Sequence, residues 1–462
     1  MALETLNRFV WGAPALVLIL GVGVFLSVRS GFAQLTLFSR ACRVFLAKLQ
    51  QGNDGDDVSP FQALCTALAA TVGTGNLVGV AGAIALGGPG AIFWMWICAI
   101  VGMATKFAEA TLAVRYRVRV NGAYVGGPMY MIRQGMGKRW NWLACLYSFF
   151  GVFAAFGVGN ATQINAVITG VNEVIAAFGG SESRSGNLLM GVILAALVGA
   201  MLLGGAKRIG AAAEMLVPFA SCAYILLGAG VLVMRASEIP QALVSIVTGA
   251  FSPGAVTGGM LGSAFQALRI GVSRGVFTNE AGMGTASIAH ASARVSHPAE
   301  QGLMGIMEVF LDTIVICTMT ALVILCSGVP ISFGADVGGV LTTRAFSSVY
   351  GDWVTVILAM ALCCFAFATV LGWGLYGARC AQFLFGPRAW KPFALLQIVN
   401  VIAIAVLETG VIWSLAETVN GLMAVPNLIA LVALSPELSR LTIEYKNLRG
   451  DRAAGGTYEN LD

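Results

Sequence analysis

The chain has 462 residues, 58% hydrophobic and only 11% charged, with a mean hydropathy of +0.83, so it carries too little charge to clothe a water-soluble globule. Its formal net charge of +5 is spread over loops rather than gathered into a patch, which argues against a nucleic-acid partner. Ten cysteines, mostly inside apolar runs and without CxxC spacing, and only two histidines (His290 and His297) argue against a disulfide framework or a histidine-rich metal centre. Apolar runs of roughly 18 or more residues recur along the whole length, the signature of a polytopic helical membrane protein.

Met1 to Val10 is a short polar lead, and residues 11–29 form a first apolar helix. It is too long for a signal-peptide core and lacks a small-x-small cleavage site after it, which predicts a retained span. A loop to about residue 60 is first basic and then acidic, with Asp54, Asp56 and Asp57 near its end. The next run, about 60–86, is apolar, yet its middle reads Thr71-Val-Gly-Thr-Gly-Asn76. Glycine weakens a helix by about 1 kcal/mol relative to alanine. In lipid a broken helix survives only where its freed backbone groups find partners. Gly73-Thr74-Gly75 is therefore expected to break the helix at the midplane. The first half would end in carbonyls that suit a cation, and the second would begin in N–H groups that suit a carboxylate. The competing reading is a small-residue face for helix packing.

Gly87-Gly-Pro-Gly90 turns the chain into a helix at about 91–116, which carries Lys106 and Glu109 on one face. A basic loop spans 117–140, and helices follow at about 141–170, 187–205 and 210–234, with an interfacial stretch at 239–251. A second interrupted span starts near Gly258. Gly271, Ser273, Arg274 and Gly275 fall in its middle and predict a second break there. Helices at about 301–327, 352–378, 391–408 and 411–434 complete the pattern. A loop at 328–351 lies between the first two of these, and the polar tail from Ser435 is expected to be partly disordered.

The spans thus repeat with an offset of about 200 residues, each set of five opening on a broken helix. The expected division is a leading helix at 11–29, a first repeat at 60–235, a second at 256–435 and a tail at 436–462. An odd number of spans per repeat forces the copies to enter from opposite sides, so the repeat is inverted, the architecture that binds substrate and ions at the midplane. Alternate loops place about twenty of the 27 lysines and arginines on one side, against Arg8, Arg184, Arg235 and Arg344 on the other. The positive-inside rule then predicts an outside N-terminus and a cytoplasmic C-terminus in the plasma (inner) membrane.

Several stretches now carry a resemblance. Gly87-Gly-Pro-Gly-Ala-Ile-Phe-Trp-Met-Trp-Ile-Cys-Ala-Ile-Val-Gly102 is similar to the signature of the alanine or glycine:cation symporter family. Thr71-Val-Gly-Thr-Gly-Asn76, Gly126-Gly-Pro-Met-Tyr130, Asn279-Glu-Ala-Gly-Met-Gly284 and Pro426-Asn427 also match that family, over about residues 10–440. The resemblance implies an all-α, LeuT-type 5+5 inverted repeat with one extra leading helix, and sodium- or proton-driven uptake of alanine, glycine and close relatives. It also implies that the carbonyls of Ala69 and Val72 face a sodium ion, with Ala366 and Thr369 of core helix 8 completing the site. Sodium acts there as coupling ion, and no other cofactor is implied. A hydroxyl bonded back to its own helix is the plainer reading of Thr369.

The chemistry of a small zwitterion suggests the remaining site residues. Its carboxylate fits the N–H groups of Gly75 and Asn76 and the Asn76 amide, beside Gly73 and Thr74. Its ammonium fits unwound carbonyls near Gly271 to Ser273, with Gly275 allowing close approach. Trp373, one turn beyond Thr369, is expected to cap the side-chain end. Asn160 and Gln163 share a face and are substrate candidates, with a helix–helix hydrogen bond as the alternative. Arg269 and Glu417 are expected to pair as an outer gate, because each is costly alone in lipid. Lys106, Glu109, Glu308 and Asp312 read as a structural cluster, and Phe93 to Trp96 as a packing anchor. The expected function is symport of a small neutral amino acid with sodium by alternating access. A proton-coupled or glutamine-preferring relative is the near alternative. An ion channel or a membrane-embedded enzyme is disfavoured, the latter because no paired-Asp, Ser/Lys or histidine-metal arrangement appears.

Overall fold

The computed structural model describes residues 12–50, 58–177, 179–252, 264–335, 339–407 and 410–453. The leading helix α1 (Ala13–Arg29) is followed by α2 (Phe38–Gln50), in the stretch expected to be a loop. Its apolar positions Ala41 and Val44 are buried, and Cys42 meets Met307. Amphipathic spacing, short of a full span, escapes a search for long apolar runs.

Ser59 starts α3 (Pro60–Thr71) with a capping box to Gln62, and Pro60 occupies the first turn. The helix stops at Val72, whose extended backbone carries the chain through Gly73 into α4 (Gly75–Gly87), bent 51° from α3. The first break therefore falls at Gly73-Thr74-Gly75, within the motif that predicts it. The chain continues through α5 (Gly90–Arg115), α6 (Lys138–Ala176), α7 (Arg184–Leu202), α8 (Gly205–Met234) and the short α9 (Ile239–Phe251). Between α5 and α6 the expected basic loop contains a hairpin, β1 (Val118–Val120) with β2 (Ala123–Val125). Its turn is Asn121-Gly122, both at positive φ, as a tight hairpin requires.

The second break is displaced from its expected place. Helix α10 (Ala264–Asn279) runs unbroken through Gly271, Ser273 and Gly275. The two glycines are one turn apart and face α5: a Cβ on Gly271 would lie 2.3 Å from the Ala91 carbonyl, and one on Gly275 3.1 Å from Cys98 Cβ. They let two helices close on each other, the packing role of small residues at four-residue spacing. The unwinding occurs instead at 280–284, where Glu280, Gly282 and Gly284 have positive φ (53°, 93° and 79°), before the short α11 (Thr285–His290).

Helices α12 (Pro298–Cys326), α13 (Val340–Tyr350), α14 (Val354–Phe385), α15 (Trp390–Ile404) and α16 (Gly410–Ala433) follow. The first part of the tail is helical: α17 (Ser435–Ala453) bends 60° from α16 and buries Leu438, Leu441 and Tyr445, while residues 454–462 lie outside the described residues. Their spacing makes one apolar face in a segment whose average polarity is high. Among the described residues, α5, α6, α7, α8, α12 and α14 are each long and apolar enough to cross a bilayer, and α3–α4 passes as a bent pair. With α1, α10–α11, α15 and α16 they make the leading-plus-ten arrangement. Leu189, Ile193, Phe219, Leu226 and Val233 of α7 and α8 are exposed, which suits a lipid-facing rim.

Candidate functional site at the two breaks

The first break is built from one substitution of partners. In a continuous helix the Gly73 N–H would bond to the Ala69 carbonyl. Here it donates to Asn76 Oδ1 at 2.8 Å, and the Ala69 carbonyl accepts the Thr369 hydroxyl at 2.8 Å instead. Thr369 also reaches the Phe365 carbonyl of its own helix at 3.0 Å. The fold thus brings Ala69 and Thr369 together across 300 residues. Ala366 is buried within the continuous α14, and Val72 forms the C-cap of α3.

Asn76 differs from its expected role. Its amide oxygen is taken by Gly73, and its NH2 donates to Asp312 Oδ1 at 2.8 Å and to the Asp312 carbonyl at 3.1 Å. Its backbone N–H goes to the Gly73 carbonyl at 3.3 Å. The side chain is a brace across the break rather than a hand held out to substrate. The first-turn N–H groups of Thr74 and Gly75 are what the α4 terminus offers to an anion.

Two polar atoms beside the break are buried without a protein partner, Gln163 Oε1 and Thr278 Oγ1. Gln163 Nε2 donates to Thr74 Oγ1 at 3.3 Å, and a Cβ on Gly73 would lie 3.5 Å from Gln163 Oε1. A Cβ on Gly75 would lie 3.1 Å from Thr278 Oγ1, so α10 ends against the break in α3–α4. These two unmet polar atoms sit against the Gly73 and Gly75 backbone, a place where a small polar ligand would find partners. Above Thr74 a cleft of about 260 Å³ opens between α4, α6, α13 and α14, lined by Asn165, Thr169, Glu173 and Thr342 among others.

Asn160 resolves to the helix–helix alternative. It exchanges hydrogen bonds with α15, donating to Asn400 Oδ1 at 2.9 Å and accepting from Gln397 Nε2 at 3.0 Å. Trp373 is fully buried, seated on Gly159, where a Cβ would lie 2.3 Å from its own Cβ. Its Nε1 donates to Glu280 Oε1 at 3.2 Å, tying α14 to the second break. Ser273 sits half-buried mid-way along α10, and Gly271 and Gly275 are committed to packing, so none of the three stands in the unwound segment. Arg269 is exposed on α10, and the side chain of Glu417 lies outside the described residues.

Thr278 and Glu280 stand at the second break but are not among the expected site residues, although Glu280 lies within Asn279-Glu-Ala-Gly-Met-Gly284. The available signal was glycine spacing. Gly73-x-Gly75 and Gly282-x-Gly284 place glycines two apart, on no common helix face. Gly271 and Gly275 are four apart, which marks a face. Around the second break lie four buried carboxylates, Glu109, Glu280, Glu308 and Asp312, with Lys106 and His290 among them. Lys106 Nζ pairs with Glu308 Oε1 at 2.8 Å, both without solvent exposure, and His290 Nε2 meets Glu308 Oε2 at 2.9 Å. Among the described residues no group of three or more His, Cys, Asp or Glu side chains is arranged to hold a metal ion.

A bundle of membrane-capable helices in which two interrupted helices pack against each other has a fold of LeuT type. The solved structure of MhsT in complex with L-phenylalanine shares this fold, with a TM-score of 0.56 over 84% of this chain and 99% of that one at 13% identity. The profile of the Sodium:alanine symporter family matches residues 1–457, and the chain belongs to that family. It is 42% identical to the sodium/alanine symporter AgcS of Methanococcus maripaludis, over 97% of this chain and 98% of that one. It is 38% identical to the probable sodium/glutamine symporter GlnT of Bacillus subtilis, over 93% of this chain and 87% of that one.

Proposed function

We propose that this protein couples inward sodium flow to uptake of a small neutral amino acid, alanine or glycine, across the plasma (inner) membrane by alternating access. The observation that carries the reading is the first break: the interrupted backbone at Gly73-Thr74-Gly75, flanked by the orphan atoms Gln163 Oε1 and Thr278 Oγ1, with Ala69 O and Thr369 Oγ1 beside it. Sodium is a hard cation and takes oxygen ligands. The Ala69 and Val72 carbonyls at the end of α3, the Thr369 hydroxyl and the Ala366 carbonyl are the oxygens assigned to it. The substrate carboxylate lies on the Thr74 and Gly75 N–H groups, and its ammonium takes Gln163 Oε1. Trp373, locked by Glu280 and Gly159, sets the length of side chain admitted. The N-terminus is assigned outside and the C-terminus, with α17, to the cytoplasm. The repeats are assigned to 60–235 and 256–435, and Arg269 with Glu417 to an outer gate.

The driving force suffices: about 2.3 kcal/mol per charge per 100 mV, plus about 1.4 kcal/mol per tenfold sodium gradient. A second reading, proton coupling, has one observation in its favour: four buried carboxylates face one lysine and one histidine. Radiolabelled alanine uptake into proteoliposomes, under a sodium gradient, a proton gradient or neither, separates the two. Sodium-driven uptake supports the proposal. Uptake under the proton gradient alone moves coupling to the carboxylates. Absence of alanine, glycine and glutamine uptake under both gradients overturns it.

A further inference from the structure

Helices α5 and α12 pack along each other. Lys106 and Glu308 are 202 positions apart and bond to each other at 2.8 Å. One turn further on each helix stands another carboxylate, Glu109 on α5 and Asp312 on α12, 203 positions apart.

Each of these carboxylates holds the break of the other repeat. Glu109 Oε1 accepts the Gly282 and Gly284 N–H groups, both at 3.0 Å, and Asn427 Nδ2 at 2.7 Å. Asn427 Nδ2 also donates to the Gly282 carbonyl at 2.9 Å, so α16 closes the arrangement from the other side. Asp312 Oδ1 accepts Asn76 Nδ2, whose partner oxygen holds the Gly73 N–H. Asp312 Oδ2 accepts Thr313 Oγ1 at 2.8 Å, and Thr313 in turn accepts Asn279 Nδ2 at 3.3 Å, at the edge of the second break. Glu109, Asp312 and Asn76 are all buried. The contact is direct at one break and passes through one amide at the other, but the logic is the same. Unwound N–H groups in a dry interior require acceptors, and these carboxylate oxygens supply them, directly at one break and through the Asn76 amide at the other.

We propose that Glu109 and Asp312 are reciprocal positioning residues: each is a clamp that sets the backbone geometry of the Gly-x-Gly break in the opposite repeat. Neither touches the substrate or the ion. Both act by fixing where the freed carbonyls and N–H groups point. This rests on the reading that the breaks form the transport site, but the first test below needs no substrate.

That test is hydrogen–deuterium exchange on the full-length protein in detergent. Glu109→Ala is expected to speed exchange at 280–284 by at least about tenfold, a factor of 1.4 kcal/mol, and to leave 72–76 unchanged. Asp312→Ala is expected to speed exchange at 72–76. Exchange at 280–284 that is unaltered in Glu109→Ala, or altered no more than at 72–76, overturns the proposal.

The second test is a swap. Asn76→Asp alone opposes two carboxylates and is expected to abolish uptake. Asn76→Asp combined with Asp312→Asn restores one donor–acceptor pair while position 76 still accepts the Gly73 N–H, and uptake is expected to return to at least about a tenth of wild type. A double variant that is monodisperse, melts like wild type and stays as inactive as Asn76→Asp overturns the clamp at the first break. If Asn76→Asp fails to fold, recovery of folding in the double variant gives the same answer. In uptake, Glu109→Ala is expected to raise the alanine KM at least about tenfold while the sodium half-saturation stays within about threefold, a split that general loss of structure does not produce. Wild-type protein that transports no amino acid but gives the expected exchange pattern refutes the transport reading and leaves the clamp standing.

Discussion

Replacing Thr369 by valine removes one hydroxyl and nearly keeps the side-chain shape. The hydroxyl has one proton, shared between the carbonyls of Ala69 at 2.8 Å and Phe365 at 3.0 Å, so its lone pairs remain available to a cation. The Ala69 carbonyl has already given up the Gly73 N–H to Asn76, so in the variant it loses its remaining cross-helix donor. In the absence of sodium the cost is that of one net hydrogen bond, about 1 kcal/mol, rising toward about 3 kcal/mol if the carbonyl stays dry. With sodium the loss is larger, because one of the few oxygens around the ion disappears. A rise in sodium half-saturation of at least about tenfold corresponds to only 1.4 kcal/mol. Sodium at ten times its Kd stabilises the wild type by about 1.4 kcal/mol. The sodium-dependent shift in melting temperature should be clear in wild type, retained in Thr369→Ser and absent in Thr369→Val. Uptake in proteoliposomes at graded sodium should rank the three proteins in the same order. A valine variant with the wild-type sodium dependence in both assays would refute an ion at this point, whatever its effect on stability.

Three further outcomes are expected. Trp373→Leu shortens the buried wall and should let glutamine compete with labelled alanine, whereas Trp373→Phe loses only the bond to Glu280 and should raise KM without widening the range of competitors; identical competitor profiles in both would count against the wall. Gly271→Ala places a Cβ 2.3 Å from the Ala91 carbonyl, an overpacking worth about 1–3 kcal/mol, and should lower the melting temperature while sparing the alanine KM; a raised KM at unchanged stability would return Gly271 to the binding site. His297, ahead of α12, caps that helix by accepting the Ala299 N–H at 3.1 Å and packs on Tyr445 of α17, with Glu444 3.7 Å from Nε2. Burial pushes the imidazole below its ordinary 6.5, only partly offset by Glu444 and Glu300, so the fold favours the neutral ring. Its contribution is therefore complete above about pH 6.5 and is lost as pH falls through the lowered value. Thermal melts from pH 8 to 5 should show wild type losing stability relative to His297→Asn, which can still cap, and parallel curves would remove this role.

Legibility followed the range of the physics. The first break could be read because glycine, hydroxyl and amide in mid-span are local anomalies against an apolar background. The second was misplaced because Gly271 and Gly275 present the same composition, and only their four-residue spacing distinguishes a packing face from an interruption. Asn76, Asn160 and Gln163 were alike to the sequence, three polar side chains in apolar spans. The structure separates them into a brace for Gly73, a bridge to α15 and an amide whose oxygen is left unpaired beside the first break. Helix α17 was missed because three buried side chains among charged ones do not register in an average.

By itself the sequence determined the membrane class, the order of spans and the site of the first interruption. These depend on hydropathy and backbone preference, which are properties of neighbouring residues. Tertiary structure alone decided which polar groups meet: Thr369 with Ala69, Asp312 with Asn76, Glu109 with Gly282 and Gly284. Helical period shows which face of a span a residue occupies, but not which other helix lies against that face. In a dry interior, where each freed backbone group must find a partner, that second choice makes the site.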